Sequence, residues 1–373
     1  MKKILFIDNT AHHLYGQLHN IHHYQKIGYK VELLVPDDGV YYKKLQGLGY
    51  HCIDSIVSWE GMSLFKELRL VRRLKLLIAE IEPDLICSFT IKPNLYTALA
   101  LKSSDVKQVA NITGLGYAFM GSRIKARLFK RLYKHSFKKL DKVFFQNIDD
   151  HDHLTQMGIF SSDTIVKLLP GSGVNLDRFS YSEKSESAVT SFVYAGRIIA
   201  DKGINELIAA FRVVRNRYAN TKLILIGNFF PGNPSAISEE QVDKWISEGL
   251  IEYHGMVNNV ADYIADCDCV ILASYREGMP RILLEGSSMG RPIITVDSIG
   301  CKDVVEDGVT GYMAKVKDVD SLAEAMIRFI ELPFDEKVKM GKAGRKKMER
   351  EFDQKIVINK YLEAAKQLLH AKE

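Results

Sequence analysis

Two doubly wound α/β units, facing each other across a cleft, are what this 373-residue sequence predicts. Three observations carry the prediction. The chain is too long for one small core and suits two domains of roughly 150–200 residues. Short apolar runs alternate with helix-length stretches in both halves, which is the rhythm of a parallel sheet covered by helices. Between about 171 and 189 the rhythm gives way to "GSGVNLDRFSYSEKSESAV", rich in Gly, Ser and charge, as a linker would be. The expected division is a first unit at 1–172, a linker at 173–190 and a second unit at 191–352. A C-terminal helix at about 353–371 packs back on the first.

In the first unit the strand signals are "KKILFID" (2–8), "YKVELLVP" (29–36), "HCIDSIVS" (51–58), "DLICSFT" (84–90), "KQVANIT" (107–113), "KVFFQN" (142–147) and "TIVKLLP" (164–170). Helices fit between them at about 14–27, 64–81, 92–103, 122–140 and 149–157. In the second unit "TSFVYAG" (190–196), "TKLILIG" (221–227), "IEYHG" (251–255), "DCVILAS" (268–274) and "PIITVD" (292–297) read as strands with helices between. Ligands of such sheets bind outside the carboxyl ends of the strands, here in the cleft between the units, so the loops after strands should hold the chemistry.

Composition excludes several classes. Hydrophobic residues make up 46% and charged residues 26%, as in an ordinary soluble protein. No run of about 18 apolar residues occurs, and the N-terminal apolar run is short and followed at once by Asp8, so neither a membrane span nor a signal peptide is expected and the protein should stay in the cytoplasm. Five scattered cysteines inside apolar runs read as reduced core thiols. Cys267-Asp268-Cys269 lacks a second Cys/His pair at zinc spacing, and no metal is expected. Residues 1–170 carry 24 Lys+Arg against 16 Asp+Glu, a net of +8, whereas the remainder is mildly acidic. Only the first half is suited to an anionic surface.

Two stretches carry candidate chemistry. In "VYAGRIIADKG" a strand ends at Gly196-Arg197, and Lys202-Gly203 opens the next helix. A guanidinium, an ammonium and free helix amides together suit a phosphate; two solvated basic residues are the alternative. In "EGMPRILLE" a loop carries Glu277, Pro280 suits the first helical position, and Glu285 falls in the second turn on the cleft side. Amides and dipole would take a diphosphate while the carboxylates accept hydrogen bonds from sugar and ribose hydroxyls. The alternative is a core helix with two solvated acids, which leaves the Gly-x-Pro turn unexplained.

These stretches resemble, in order, the donor half of the retaining glycosyltransferases of family 4, which have the two-Rossmann GT-B fold. The resemblance rests on "AGR…DKG", "ASYREGMPRILLEGSSMGRPIITVDSIGCKDVVEDGVTGYMA" and "LLPGSGVNLDRF" (168–179), and runs from about 165 to 330, more loosely before that. It implies an acceptor-binding first unit and a nucleotide-sugar-binding second unit. Arg197 and Lys202 become the diphosphate clamp, and Glu277 the contact to the donor sugar; these three are the catalytic set. Glu285 becomes the ribose ligand, with the amides around Gly278, Met279 and Pro280 near sugar and phosphate. Gly16, expected in the loop after the first strand, resembles the glycine whose backbone meets the donor phosphate. Gly227 and Met256-Val257 would lie near the nucleobase.

One departure matters. Many family members carry His-Gly after the fifth strand, and this chain has Thr113-Gly114, which puts a His-based role there in doubt. Thr113 and Gly114, with His12 and His13 after the first strand, remain candidate sugar or acceptor contacts, solvated histidines being the alternative for the latter. "SFTIKPNLYTALALK" followed by "NITGLGYAF" resembles the bacterial branch that extends undecaprenyl-diphosphate-linked sugars in capsule, O-antigen or glycoprotein-glycan assembly. The resemblance thus implies hexosyl or N-acetylhexosaminyl transfer from a nucleoside diphosphate donor, UDP, to a lipid-diphosphate-linked saccharide, with retention, the leaving phosphate helping to take the acceptor's proton and no metal or other cofactor needed. A sugar-nucleotide epimerase of the same two-domain form, or a non-catalytic nucleotide-sugar-binding module, is the rival.

Other patterns read as bland. Asp266-Cys267-Asp268 has D-x-D spacing but straddles a helix end and a strand start, and no G-x-G-x-x-G follows the first strand, which disfavours a dinucleotide oxidoreductase. The stretch "SRIKARLFKRLYKHSFKKLDK" (122–142) holds nine Lys/Arg and one acid, with a stripe of Ile124, Leu128, Phe129, Leu132, Tyr133, Phe137 and Leu140 that should pack on the sheet. Its cationic face, with Arg123, Lys125, Arg127, Lys130, Arg131 and Lys134, joins "RLVRRLK" (69–75) as a surface suited to anionic lipid headgroups, a solvated face being the alternative. Nucleic acid is disfavoured because stacking aromatics are not evident. The expected location is peripheral, on the inner face of the membrane.

Overall fold

The computed structural model describes residues 1–55, 64–102, 104–115, 123–138 and 140–370. The chain divides into two compact units, Met1–Ser172 together with Lys355–Glu373, and Gly173–Gln354.

Unit 1 is built on a parallel sheet of seven strands: β1 (Lys3–Ile7), β2 (Lys30–Val35), β3 (His51–Asp54), β4 (Leu85–Phe89), β5 (Lys107–Ile112), β6 (Lys142–Phe145) and β7 (Ile165–Leu168). Their order is β3-β2-β1-β4-β5-β6-β7. β4, "LICSF", is buried along its whole length, as a strand covered on both faces must be. One face is covered by α4 (Leu64–Ile81), α5 (Ile91–Ala100), α6 (Arg123–Phe137) and α7 (Ile148–Gln156), whose Leu70, Leu74, Tyr96, Tyr133, Phe137 and Leu154 pack on Leu5, Ile86 and Val143. The other face is covered by α1 (Ala11–Tyr15), α2 (Leu18–Lys26), α3 (Tyr41–Gly47) and the C-terminal α14 (Gln354–His370). Along α14, Val357, Tyr361, Ala364, Ala365 and Leu369 are buried among β1, β2 and β4 side chains, and Tyr361 also hydrogen-bonds Asn111 on β5.

Unit 2 holds six parallel strands, β8 (Thr190–Ala195), β9 (Thr221–Ile226), β10 (Glu252–Tyr253), β11 (Cys269–Leu272), β12 (Ile293–Val296) and β13 (Gly311–Ala314), in the order β10-β9-β8-β11-β12-β13. Its helices are α8 (Ile204–Arg217), α9 (Glu239–Ser247), α10 (Val260–Asp266), α11 (Arg281–Ser288), α12 (Val319–Glu331) and α13 (Phe334–Lys347).

Several expectations are corrected. The helix expected at 14–27 is two helices: Thr10 caps α1 by accepting from His13 N at 3.2 Å, and the chain turns at Gly16-Gln17 before α2. Gly16 is therefore a helix end rather than part of a loop. The short α3 and the strand β13 carried too little periodic signal to be expected. Residues 173–190, expected as a linker, run along unit 2: Val174 bridges Asp353, Phe179 is buried, and Arg345 donates to Leu176 O at 3.4 Å and Phe179 O at 3.1 Å. The expected strand at 51–58 ends at Asp54, with 56–63 outside the described residues.

All five cysteines are buried and free. Burial pushes the Cys52 thiol up to about 11 and those of Cys87, Cys267 and Cys301 up to about 12, so they are inert packing residues at neutral pH. Asp268 accepts from Ser191 N at 2.8 Å and Ser191 Oγ at 2.7 Å, a structural role that disposes of the D-x-D pattern.

In both sheets the strand order reverses between the first and fourth local strands, at β1/β4 and at β8/β11. Neighbouring connections leave in opposite directions there, which opens a crevice at the carboxyl ends of those strands.

Candidate active site

At the switch point of unit 2 the loops after β8 and β11 are fastened together by backbone. Tyr275 N donates to Asp201 O at 3.0 Å, and Ser235 Oγ holds the Asp201 carboxylate at 2.6 Å. Tyr194, fully buried on β8, turns the first loop by donating its hydroxyl to Arg197 O at 2.7 Å. Its phenol is pushed well above the ordinary value, by burial first and then by the negative charge of Glu277, so it stays a hydrogen-bond donor.

Lys202, in the single 3₁₀ turn Ala200–Lys202, donates its Nζ to Glu277 Oε1 across the two loops. Both side chains are about 15% exposed, at 15% and 14%, so each keeps an open edge while most of its surface is withdrawn from water. A pair so placed is costly to bury without further partners, and a diphosphate beside Lys202 or sugar hydroxyls beside Glu277 would supply them. Arg197 is exposed, its guanidinium 5.5 Å from the Phe230 ring centroid.

The segment "EGMPRILLE" folds as a loop that enters a buried helix. Pro280 is the residue before α11 rather than its first helical position, as its ψ of 112° shows. From Ile282 to Ser288 every α11 side chain is buried, so the stretch is no surface amphipathic helix. Glu285 lies buried with it and accepts from Arg281 Nη2 at 3.2 Å. The first N–H groups of α11 have no partner within the helix and carry its positive dipole end, beside Gly278 and Met279.

Two glycines fix this geometry. Gly227, after β9, has φ +148°, and a Cβ there would overlap the carbonyl oxygen of Gly196 in the loop after β8. Gly300, after β12, has φ +81°, and a Cβ would lie 2.6 Å from both Glu277 O and Gly278 O. Glu277 N in turn donates to Ile299 O at 2.9 Å. Gly300, Tyr194 and Phe230 went unread in the sequence. The one available signal was Gly300 in "VDSIGC", a glycine just past a strand end.

The structure thus brings Arg197, Lys202, Gly227, Glu277, Gly278 and Met279 to one end of unit 2, with Pro280 and Glu285 in the adjoining helix entry. Gly255 O accepts from Gly227 N at 2.8 Å, which sets Met256, 54% exposed, and the half-buried Val257 beside the end of β9.

In unit 1, Asp8 is fully buried just after β1 and is hydrogen-bonded to His13 Nδ1. His12 is exposed and its ring lies 4.6 Å from that of Tyr41. Gly16 N donates to His12 O at 3.2 Å, within the helix end. Thr113 and Gly114 follow β5 and are half-buried.

On α6, Tyr133 and Phe137 are buried while Lys130, Arg131 and Lys134 are exposed, so the described part of the apolar stripe is core. Arg123, Lys125 and Arg127 lie on α6, with their side chains outside the described residues. On α4, Leu68 and Leu76 are 58% and 64% exposed, among exposed Arg69, Arg72 and Lys75. No described helix is long and apolar enough to cross a membrane.

Known proteins match both units. Residues 3–147 match the family described as glycosyl transferase 4-like, and residues 177–347 match glycosyl transferases group 1. The chain is 26% identical over 351 residues to N,N'-diacetylbacillosaminyl-diphospho-undecaprenol alpha-1,3-N-acetylgalactosaminyltransferase of Campylobacter jejuni, covering 89% of this chain and 90% of that protein. It is 25% identical to the capsular polysaccharide biosynthesis glycosyltransferase CapM of Staphylococcus aureus, covering 87% and 86%. In structure it is similar to sucrose-phosphate synthase of Thermosynechococcus elongatus, with TM-score 0.80, 17% identity and full coverage of both chains. It is also similar to Anabaena HepE in complex with UDP and glucose, with TM-score 0.79, 18% identity and coverage of 98% and 99%. With both parallel-sheet units matched, residues 3–147 belong to the glycosyl transferase 4-like family and residues 177–347 to glycosyl transferases group 1, so the chain is built of two glycosyltransferase-family units.

Proposed function

We propose that the protein is a retaining glycosyltransferase of bacterial surface polysaccharide or glycan assembly, which moves a hexosyl or N-acetylhexosaminyl group from a UDP-sugar to a lipid-diphosphate-linked saccharide. The observation that carries this reading is the Lys202–Glu277 pair at the β8/β11 switch point, where a cation for a diphosphate and an acceptor of hydroxyl hydrogen bonds stand side by side. The Campylobacter relative, whose name gives a diphospho-undecaprenol acceptor, and the UDP-bound Anabaena structure support the two substrate classes.

As the bond between sugar C1 and the diphosphate oxygen breaks, negative charge builds on the departing phosphate. Lys202, Arg197 and the α11 amides are fixed dipoles and charges aimed at that group, so the transition state gains more than the ground state. Glu277 holds the sugar's hydroxyls, Glu285 the ribose, Gly16 meets the donor phosphate, and Gly227 with Met256 and Val257 frames the base. In this scheme the protein's own cations do the work of charge stabilisation.

The experiment is a melting series with UDP and a panel of UDP-sugars. A ligand at 100 times its dissociation constant stabilises the folded state by about 2.7 kcal/mol, a readily measured upward shift. Lys202→Ala should abolish most of that shift. An unchanged melting temperature across the panel would count against the reading, and conversion of donor to an altered nucleotide sugar without acceptor would favour the epimerase.

The lipid-linked acceptor implies work at the membrane's inner face. Leu68 and Leu76 sit two turns apart on α4, ringed by Arg69, Arg72 and Lys75, with the exposed cations of α6 on the same helical layer. Apolar insertion beside basic residues is how an interfacial helix binds anionic lipid, each cation adding about 1 kcal/mol. Charge reversal at Arg72, Lys75, Lys130 and Lys134 should cut sedimentation with phosphatidylglycerol vesicles severalfold or more. Unchanged sedimentation would refute membrane docking through this face.

A further inference from the structure

The long loop after β9 carries an exposed aromatic ring to which the donor chemistry above assigns no role. Residues 228–236, "NFFPGNPSA", are laced onto the loop after β8. Ile198 N donates to Asn228 O at 2.9 Å and Ala200 N to Ser235 O at 2.7 Å, while short bridges pair Ile198 with Phe229 and Ile199 with Ala236. The loop is also closed on itself, since Asn233 N donates to Phe230 O at 3.1 Å, and Pro231 and Pro234 remove further backbone freedom. Its side chains are therefore presented to the β8 loop in fixed directions.

The two phenylalanines of this loop do different things. Phe229 packs against the core of unit 2 and lies 5.3 Å from the Tyr253 ring, whose hydroxyl donates to Gly227 O at 2.7 Å. Phe230 is 39% exposed and joins no core cluster among the described residues. Its ring contact there is the guanidinium of Arg197, with Cζ 5.5 Å from the ring centroid. Burial therefore does not account for an aromatic at this position. Within about 6 Å the negative face of a ring attracts a cation. A guanidinium that rests on such a face still has the N–H donors of its rim available to oxygen acceptors.

We propose that Phe230 is a positioning residue for the diphosphate clamp, a platform that holds the Arg197 guanidinium ready for the donor's phosphates while touching neither sugar nor base itself. The inference rests on the reading of Arg197 as a diphosphate ligand. Arg197 is exposed, and an unsupported arginine side chain loses much rotamer freedom when it grips an anion. Part of that loss is met in advance when the guanidinium already lies on a ring, and binding that needs less ordering is tighter. The two ends of the pair are both anchored. Tyr194 fixes the backbone of Arg197 through its carbonyl at 2.7 Å, and the laced loop fixes Phe230. The coupling lies wholly within unit 2.

The test compares wild type, Phe230→Leu, Phe230→Trp, Arg197→Ala and the double variant Arg197→Ala/Phe230→Leu, with the dissociation constants of UDP and of uridine measured by calorimetry. Leucine keeps the apolar bulk and removes the π face, whereas tryptophan is the stronger platform for a cation. Phe230→Leu should weaken UDP binding about fivefold, and Phe230→Trp should bind UDP as tightly as wild type or more so. Uridine, which has no phosphate for Arg197 to grip, should bind equally to all three. In the Arg197→Ala background Phe230→Leu should cost nothing further, because the cycle isolates what the two side chains do together. The proposal is overturned by unchanged UDP affinity in Phe230→Leu, by an equal loss when Arg197 is absent, or by an equal loss for uridine, which would make Phe230 a platform for the base. Phe230→Gln takes the place of the leucine variant should that one melt early without ligand. A wild type that binds UDP no tighter than uridine, or an Arg197→Ala that costs nothing, refutes the diphosphate clamp itself, and this proposal falls with it.

Discussion

Glu277→Ala is expected to abolish sugar transfer while leaving the fold intact. The carboxylate is the acceptor for Lys202 and, on the account above, for the hydroxyls of the donor sugar. Its loss removes charge-assisted hydrogen bonds that strengthen as C1 becomes cationic, and an active-site contact of that kind is worth about 10²–10³ in kcat. The fold should survive because Glu277 hangs on the loop by its main chain, through Glu277 N to Ile299 O at 2.9 Å, a bond that the substitution keeps. The decisive comparison is kcat against the melting curve: a fall in rate with an unmoved transition supports a site role. Full activity would leave a binding module as the better description.

The second large effect is structural. Gly227→Ala should lower the melting temperature of unit 2 by about 10 °C and remove UDP binding together with it. A Cβ at that position overlaps Gly196 O, and φ +148° is strained for any L side chain. Neither side can yield, since Gly196 N is tied to Ile226 O at 2.9 Å and Gly227 N to Gly255 O at 2.8 Å. Overlap between two fixed backbones belongs with the most damaging substitutions, beyond about 3 kcal/mol, and each kcal/mol moves the transition of a unit this size by about 2–4 °C. Calorimetry measures it directly; a shift of less than 3 °C would show that the two loops can part.

How much of this was legible follows from where the signal lies. The strands of both sheets were readable because buried parallel strands are near-continuous apolar runs, as "LICSF" is. β13 was not, since "GYMA" is four residues whose burial comes from β12 and α12 rather than from its own pattern. α1 went unread because its five residues are fixed by a Thr10 cap, and Gly16 was placed in a loop for the same reason. The Arg197/Lys202 loop and "EGMPRILLE" were found because strand, turn and helix start coincide there. The ion pair between Lys202 and Glu277 and the fit of Gly300 under Glu277 depend on three loops meeting, 75 residues apart in the first case. Linear spacing carries no trace of such a meeting. The Asp8–His13 contact is local, five residues, yet a His beside another His in a loop looks the same whether or not a buried carboxylate orients it.

The central claim is sugar transfer from UDP with retention, and the anomeric proton of the product reports on it directly. Each UDP-sugar that raises the melting temperature is incubated with an undecaprenyl-diphosphate-linked saccharide and followed by proton NMR. The account predicts UDP release together with a new glycosidic signal of the donor's own α configuration. A β-linked product, or donor consumed with no glycoside formed, would contradict it.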